Sequence, residues 1–299
     1  MQGVYEMREE IKAFADYLQN EKKTAKNTLL SYERDLRKMA DYFEQEGKEK
    51  LTDLTADDMS GYMEHMKEEG KKASTLSRSV ASIKSFYQFM IRRGAVKEDL
   101  SAVLKAPRVE KKLPSVLALE DVDVLLAQPS GSSDKELRDK AMLELLYATG
   151  IRVSELLALR LDNLNLKKGY ITIQASAGRE RIVPFTKEAR DALNKYLTQV
   201  RERLLETEES DILFVNMSGK PMSRQGFWKI IKYYTKRAGI EADITPNTLR
   251  HTFAAHLVKN GANLHAVQEM MGHSDFSSTQ KYTKIESVRE EYEKAHPRG

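Results

Sequence analysis

Thr245 to Thr283, TPNTLRHTFAAHLVKNGANLHAVQEMMGHSDFSSTQKYT, gathers the residues best suited to chemistry: Arg250, His251, His273 and Tyr282, spread over short helical pieces. A cation and an imidazole held near a phenol suit attack on a phosphodiester. The positive charge neutralises what develops on the phosphate, and the phenol supplies the nucleophile. A second concentration is TGIRVSELLAL, where Arg152 and Glu155 stand three apart at a predicted helix start, with Leu156, Leu157 and Leu159 behind them. The chain has no cysteine, which removes thiolate catalysis, Cys-based zinc sites and disulfides together. A covalent nucleophile must then be Ser, Thr, Tyr, Asp, Glu or Lys.

The elements that must position these groups follow from apolar spacing. Arg250 and His251 open an apolar stripe in which Phe253, Ala254, Leu257 and Val258 face inward, within a helix predicted over 246–259 and ended by Gly261. A second helix runs from Leu264 to Met271 and stops at Gly272. Upstream, 136–149 is strongly apolar and ends at Gly150, and 119–126 precedes it as a short helix. GYITIQ (169–174) and ERIVPF (180–185) read as a hairpin, with 163–166 as a third strand, helices over 187–205 and 223–238, and strand-like DILFVN at 211–216.

Residues 5–46 read as two helices, the second capped by Asn27 or Thr28; a third starts near Thr55 and ends near Gly70, and a fourth is capped by Ser74. Pro107 and Pro114 bracket RVEKKL, which has no apolar period and reads as a linker. The expected organisation is therefore a helical domain over 1–106, a linker over 107–114 and a second domain over 115–299 that is mainly α with a small antiparallel β-sheet.

Composition bounds the function. With 299 residues the chain can bury two cores of ordinary size. Charged residues make up 31%, and no apolar run approaches the roughly 20 residues that span a bilayer. The acidic N-terminus, MQGVYEMREEIKAF, lacks a signal-peptide core, so a cytoplasmic location is expected. The net charge of +4 says less than its distribution: between Lys71 and Lys112 the cations face only Glu98, Asp99 and Glu110 as anions. That excess is a phosphate-binding face, or a solvated helix surface joined to a charged linker. Lys71 and Lys72 just before the fourth helix, with Ser74 and Thr75 in its first turn and Arg78 and Lys84 beyond, are the candidate DNA contacts there. Arg179, Arg181 and Arg224 are the candidates in the second domain. His251 and His256 read as structural, His265 as exposed, and Trp228 as packing its own helix with Phe227.

TGIRVSELLAL, TPNTLRHTFAAHL and MMGHSDFSSTQKYT, in that order, resemble the three signature boxes of tyrosine site-specific recombinases, closest to bacterial Xer recombinases. TAKNTLLSYERDL, ELRDKAMLELLYATGIRVSEL and the HPRG ending extend the resemblance over the whole chain. It implies a four-helix SAM-like core-binding domain followed by an α+β catalytic domain. It also implies that Arg152 and Arg250 clamp the scissile phosphate, that Glu155 steadies the site and that His273 hydrogen-bonds the phosphate. Tyr282 would form a 3′-phosphotyrosyl link and free a 5′-hydroxyl, with no metal, ATP or other cofactor. Guanidinium suits the clamp because it stays charged and matches phosphate oxygens bidentately.

Two positions depart from the family pattern. Asn247 stands where the family has a histidine, and a carboxamide cannot take up and release a proton near neutral pH. Ser176 stands where the hairpin lysine that protonates the leaving oxygen belongs, and serine is a poor general acid. Either Lys167 or Lys168 reaches in, or Arg179 stabilises charge without full proton transfer, or the chain is a weakened form.

The expected activity is site-specific DNA strand exchange, serving chromosome dimer resolution in chromosome partition and cell division, or integration and excision of a mobile element. The expected partners are a duplex recombination site and a homo-tetramer, or a hetero-tetramer with a related recombinase, with a DNA translocase as an optional activator and no membrane. The tail after Tyr282 is expected to dock on a neighbouring protomer through Val288, Tyr292 and Ala295. Two other readings stay open: a type IB topoisomerase-like enzyme, and a DNA-binding or bending protein with weakened catalysis.

Overall fold

The structure, a computed structural model, describes residues 2–48, 50–109, 115–131, 133–174, 180–206, 209–272 and 292–298, with side chains from residue 7 onward. The chain divides into two compact units, Met1–Lys112 and Leu113–Gly299.

The first unit is built on α1 (Gln2–Asn20), α2 (Lys26–Gln45), α3 (Ala56–Glu68) and α4 (Ala73–Arg92). Ile11, Phe14 and Leu18 of α1 recur at three- and four-residue steps and meet Leu36, Met39 and Phe43 of α2 and Ile83 and Phe86 of α4 in one buried core. Phe14 sits edge-on to Phe86, with ring centroids 5.4 Å apart. Thr55 caps α3 in a capping box: its hydroxyl accepts from the Asp58 N–H at 3.3 Å, and the Asp58 carboxylate accepts from the Thr55 N–H at 2.8 Å. The other two expected caps are corrected. α2 begins directly after Ala25 and α4 directly after Lys72, neither with a side-chain cap, so Asn27, Thr28 and Ser74 lie inside their helices. These helices are fixed by their buried stripes rather than by a cap.

The second unit is organised around α6 (Asp134–Thr149), whose residues from Ala141 to Thr149 are all buried. Ser133 caps it, accepting from the Glu136 N–H at 3.3 Å. At the far end Gly150 turns the chain in the left-handed region (φ 56°). Inside, Arg138 donates to Asp139 at 3.0 and 2.7 Å, and the Tyr234 hydroxyl donates to the second carboxylate oxygen at 3.2 Å. α5 (Leu119–Ala127) precedes α6, and α7 (Val153–Ala158) follows it.

Among the described residues the sheet has three strands, β1 (Leu164–Asn165), β2 (Tyr170–Gln174) and β3 (Glu180–Pro184), antiparallel in the order β1-β2-β3. Register runs from Tyr170 opposite Pro184 to Gln174 opposite Glu180, so Ile171, Ile173 and Val183 face the core. α8 (Lys187–Tyr196) continues through one wider π turn at 197–201 into α9 (Glu202–Leu205). Then come α10 (Arg224–Arg237), α11 (Pro246–Lys259) and α12 (Leu264–Met270).

DILFVN is not a strand. It makes only isolated bridges, Ile212 to Arg160 and Val215 to Pro221. Backbone and side chains share its polar groups: Leu213 N–H donates to the Leu159 carbonyl and Leu161 N–H to the Asp211 carbonyl, both at 2.8 Å, while Tyr196 donates to the Leu213 carbonyl and accepts from the Val215 N–H, and Arg201 donates to the Ser210, Ile212 and Leu213 carbonyls.

The tail expectation also changes. Val288 lies outside the described residues, but Tyr292 and Ala295 are each 1% exposed, packed on the chain's own second unit. Tyr292 donates to the Ala148 carbonyl at 2.9 Å, Asn260 donates to the Ala295 carbonyl at 2.8 Å, and Arg298 pairs with buried Glu144 at 2.8 Å. The apolar face that suggested a neighbouring protomer is filled by the same chain.

Candidate active site

Gly150 and the first turn of α7 bring Arg152 and Glu155 to the end of α6. Arg152 is the residue before α7, and the Glu155 carboxylate reaches back to accept its backbone N–H at 2.8 Å. The same carboxylate accepts from the Arg152 guanidinium at 3.1 Å and from Arg181 on β3 at 3.0 and 2.7 Å. Burial by itself would raise the Glu155 pKa; the hydrogen bonds and charge of Arg181, followed by those of Arg152, overcome it and hold the carboxyl below its ordinary range.

Arg250 comes from the second turn of α11, not from its start. The helix begins at Pro246, capped by Thr245, whose hydroxyl accepts from the Thr248 N–H at 3.1 Å. Arg250 is 5% exposed and donates to the Gly150 and Met271 carbonyls. Burial, then the neighbouring charge of Arg152, lowers its pKa to about 10, so it remains a cation at neutral pH. These backbone acceptors could not be picked out by residue type. Their one sequence signal is the glycine before IR, which lets the helix end turn its carbonyl toward the arginine.

Gly272, the last described residue of the box that contains Tyr282, lies under both outer arginines. A Cβ there would stand 3.0 Å from the Arg181 guanidinium and 3.2 Å from that of Arg152. The structure therefore brings together Arg152, Glu155, Arg250 and Arg181. Asn247, one turn before Arg250, is exposed on the first turn of α11. Ser176, Arg179, His273 and Tyr282 lie outside the described residues.

Several expectations are corrected here. Arg181 faces Glu155 and not solvent: its side chain is 10% exposed, and three of its five N–H donors are taken by protein, two by Glu155 and Nε by the Met270 carbonyl at 3.0 Å. Lys167 and Lys168 are exposed in the β1–β2 turn, at the Tyr170 end of β2, while Ser176 follows the Gln174 end. His251 is exposed rather than structural, whereas His256 is buried between the Tyr147 hydroxyl at 2.9 Å and the Leu117 carbonyl at 3.0 Å. His265 is exposed, as expected, and Val258 is 45% exposed instead of inward. Phe227 is buried but Trp228 is 46% exposed, with the Lys232 ammonium 5.3 Å from its ring centroid.

The first unit carries the other candidate contacts along the start of α4. Lys72 and Ser74 are exposed; Lys71, Thr75 and Lys84 are half-buried. Arg78 is tied to buried Asp35 by two hydrogen bonds, at 2.7 and 2.9 Å, so its fork is already occupied. Lys84 lies about a third of a turn round the helix from Arg78, off that edge. In the second unit Arg224 is exposed at the first residue of α10, after the capping Ser223.

Residues 115–288 match the Phage integrase family, and residues 11–94 match its N-terminal SAM-like domain. The chain belongs to the phage integrase family. It is similar to the tyrosine recombinase XerD of Halalkalibacterium halodurans, 40% identical over 292 residues that cover 97% of this chain and 98% of that one. The XerD of Oceanobacillus iheyensis is 42% identical over 293 residues, with coverage of 97% and 98%. Among solved structures, the XerH site-specific recombinase bound to difH substrate shares the fold with a TM-score of 0.68 at 20% identity, over 89% of this chain and 76% of that one. A lambda integrase tetramer bound to a Holliday junction does so with a TM-score of 0.68 at 17% identity, over 92% and 76%. The chain is a tyrosine recombinase: an enzyme of DNA cleavage and rejoining, acting in site-specific recombination. No helix among the described residues is long and apolar enough to cross a membrane.

Proposed function

We propose that this recombinase exchanges strands between two copies of a short duplex site, with Tyr282 as nucleophile and Arg152 and Arg250 as the phosphate clamp. The observation that carries this reading is the convergence of Arg152 and Arg250, from separate sequence boxes, beside Glu155. The Tyr282 oxygen would bond to phosphorus, the bond to the 5′-oxygen would break, and that oxygen would leave as a hydroxyl after taking a proton. Two fixed guanidinium groups supply the charge that a metal ion provides in many phosphoryl-transfer enzymes. His273 would donate to a phosphate oxygen, and Glu155 would hold Arg152 in place.

Proton movement is the weak part of the machinery. Asn247 can donate a hydrogen bond to phosphate but cannot accept the phenol proton, and Ser176 is a poor donor to the leaving oxygen. Cleavage is therefore slower than in a member carrying His and Lys at these positions. Lys71, Lys72, Ser74 and Thr75 of the first unit, and the exposed Arg224 of the second, would each contact the duplex backbone. Four protomers, identical or paired with a related recombinase, would join two duplexes in the cytoplasm. The site it acts on would serve either a chromosome or a mobile element: a footprint near a replication terminus supports the first, and one at element ends the second.

The departures at Asn247 and Ser176 favour one second reading, a sequence-specific DNA-binding or bending protein. A nicked duplex that traps the covalent intermediate separates the two. Slow labelling that Tyr282→Phe abolishes supports the recombinase. No labelling under any condition, with full labelling after Asn247→His and Ser176→Lys together, leaves the binding protein.

A further inference from the structure

We infer that Arg181 is a positioning residue of the active site, whose task is to occupy Glu155 so that Arg152 stays available to phosphate. This rests on the reading of Arg152 as part of the phosphate clamp.

The Glu155 carboxylate is saturated. One oxygen takes the guanidinium N–H groups of Arg152 at 3.1 Å and Arg181 at 3.0 Å; the other takes the Arg152 backbone N–H at 2.8 Å and Arg181 at 2.7 Å. Arg181 meets it through two parallel hydrogen bonds, the stronger arrangement, and Arg152 through one side-chain bond. The two arginines also differ in access. The Arg152 side chain is 42% exposed and that of Arg181 is 10% exposed. Nε of Arg181 is committed to the Met270 carbonyl at 3.0 Å, so it has little left to offer DNA, while Arg152 makes one ion-pair hydrogen bond and a long 3.5 Å contact to the Gly272 carbonyl.

Charge balance makes the consequence definite. With Arg181 present, the Glu155 carboxylate is shared between two guanidinium groups, and Arg152 keeps part of its charge for an anion beside Arg250. Without it, Glu155 and Arg152 form a closed pair, and phosphate must compete with a carboxylate already in contact. The same side chain ties β3 to the end of α12, where Arg181 packs over Gly272, the last described residue of the Tyr282 box. Lysine at this position could keep the charge but not the two-pronged grip together with the bond to Met270.

The test is a cycle of Arg181→Met, Glu155→Gln and the double variant, with Arg181→Lys beside it. Single-turnover cleavage of a nicked duplex and duplex affinity are read for each, and thermal melting confirms folding. The expected results are a cleavage rate at least about tenfold lower in Arg181→Met with duplex affinity within about twofold of the parent, recovery in the double variant to the level of Glu155→Gln alone, and partial activity in Arg181→Lys. A second readout follows the Arg152 Nε–H resonance as inorganic phosphate is titrated. Phosphate should bind about tenfold more weakly to Arg181→Met, with the loss reversed by Glu155→Gln. Unchanged cleavage, or effects of the two substitutions that simply multiply, would overturn the assignment. If the parent chain makes no covalent product, the recombinase reading fails at that step and the phosphate titration decides alone: the predicted order of affinities upholds Arg181 as positioning, and equal affinities overturn it.

Discussion

The Tyr292 hydroxyl donates to the Ala148 carbonyl at 2.9 Å, joining the described tail to the end of the helix that leads into Arg152. The ring is 1% exposed and stacks on His296 with centroids 4.8 Å apart. Docking of residues 292–298 is thus anchored on the end of α6.

Tyr292→Ala removes that anchor. Loss of a buried aromatic side chain costs about 3–5 kcal/mol where the site cannot collapse, so the tail should undock while the rest of the unit stays folded. Amide exchange at 292–298 should rise to the rate of an open segment, and Tyr292→Phe, losing one hydrogen bond, should weaken protection by about 1 kcal/mol. Unchanged exchange in the alanine variant would show that Asn260 and Arg298 hold the tail without it.

Tail docking should weaken in acid. Burial first, then the charges of Arg298 and His256, push the His296 pKa down to about 3 from the ordinary imidazole range, and burial also lowers that of His256. A docked His296 stays neutral where an undocked one takes a proton. The stabilisation is complete above the ordinary imidazole pKa of about 6.5 and falls by up to about 1.4 kcal/mol per pH unit below it, down to the folded-state value. Proteolysis of 292–298, or its amide exchange corrected for the intrinsic pH dependence, should therefore accelerate as the pH falls below about 6.5, and His296→Phe should flatten that dependence.

Gly150→Ala should be severe. The residue has φ 56°, and its new Cβ would lie 2.1 Å from the Phe253 ring. Left-handed strain of about 1 kcal/mol adds to the cost of moving a buried ring. Because the Gly150 carbonyl accepts from Arg250, cleavage should fall by more than the loss of folded protein explains, read as single-turnover rate per folded molecule.

Asp139→Ala leaves Arg138, 3% exposed, as an uncompensated buried cation, and also removes the acceptor of Tyr234. The expected loss is about 3–5 kcal/mol in the second unit, seen as a lower midpoint in urea. The first unit, folded around its own core, should keep its transition.

The helices of both units were readable from local pattern, because a buried stripe at three- and four-residue steps fixes both the helix and the face it hides. The hairpin was equally readable, since the alternation in YITIQ and ERIVP admits one inward register. Phe227 and Trp228 show where this stops: adjacent residues of similar type, one buried and one 46% exposed, are told apart only by what packs against the helix. DILFVN failed for a related reason. Its apolar residues are largely buried, but its backbone is shared among Leu159, Leu161, Lys220, Met222, Tyr196 and Arg201 in place of one continuous partner strand, and nothing local announces that.

By itself the sequence determined the chemical inventory. Two arginines, a glutamate, a histidine and a tyrosine in ordered boxes name the reaction class, because residue type sets charge and nucleophilicity wherever the chain runs. Tertiary structure alone decided which cation has which task. Arg152 and Arg181 are the same residue in the sequence, yet one is left partly open and the other has its donors taken up by Glu155 and the Met270 carbonyl. It also decided that Tyr292 and Ala295 of the described tail pack into their own unit's core. Each of these depends on distances between elements far apart in the chain, which packing sets and local pattern does not encode.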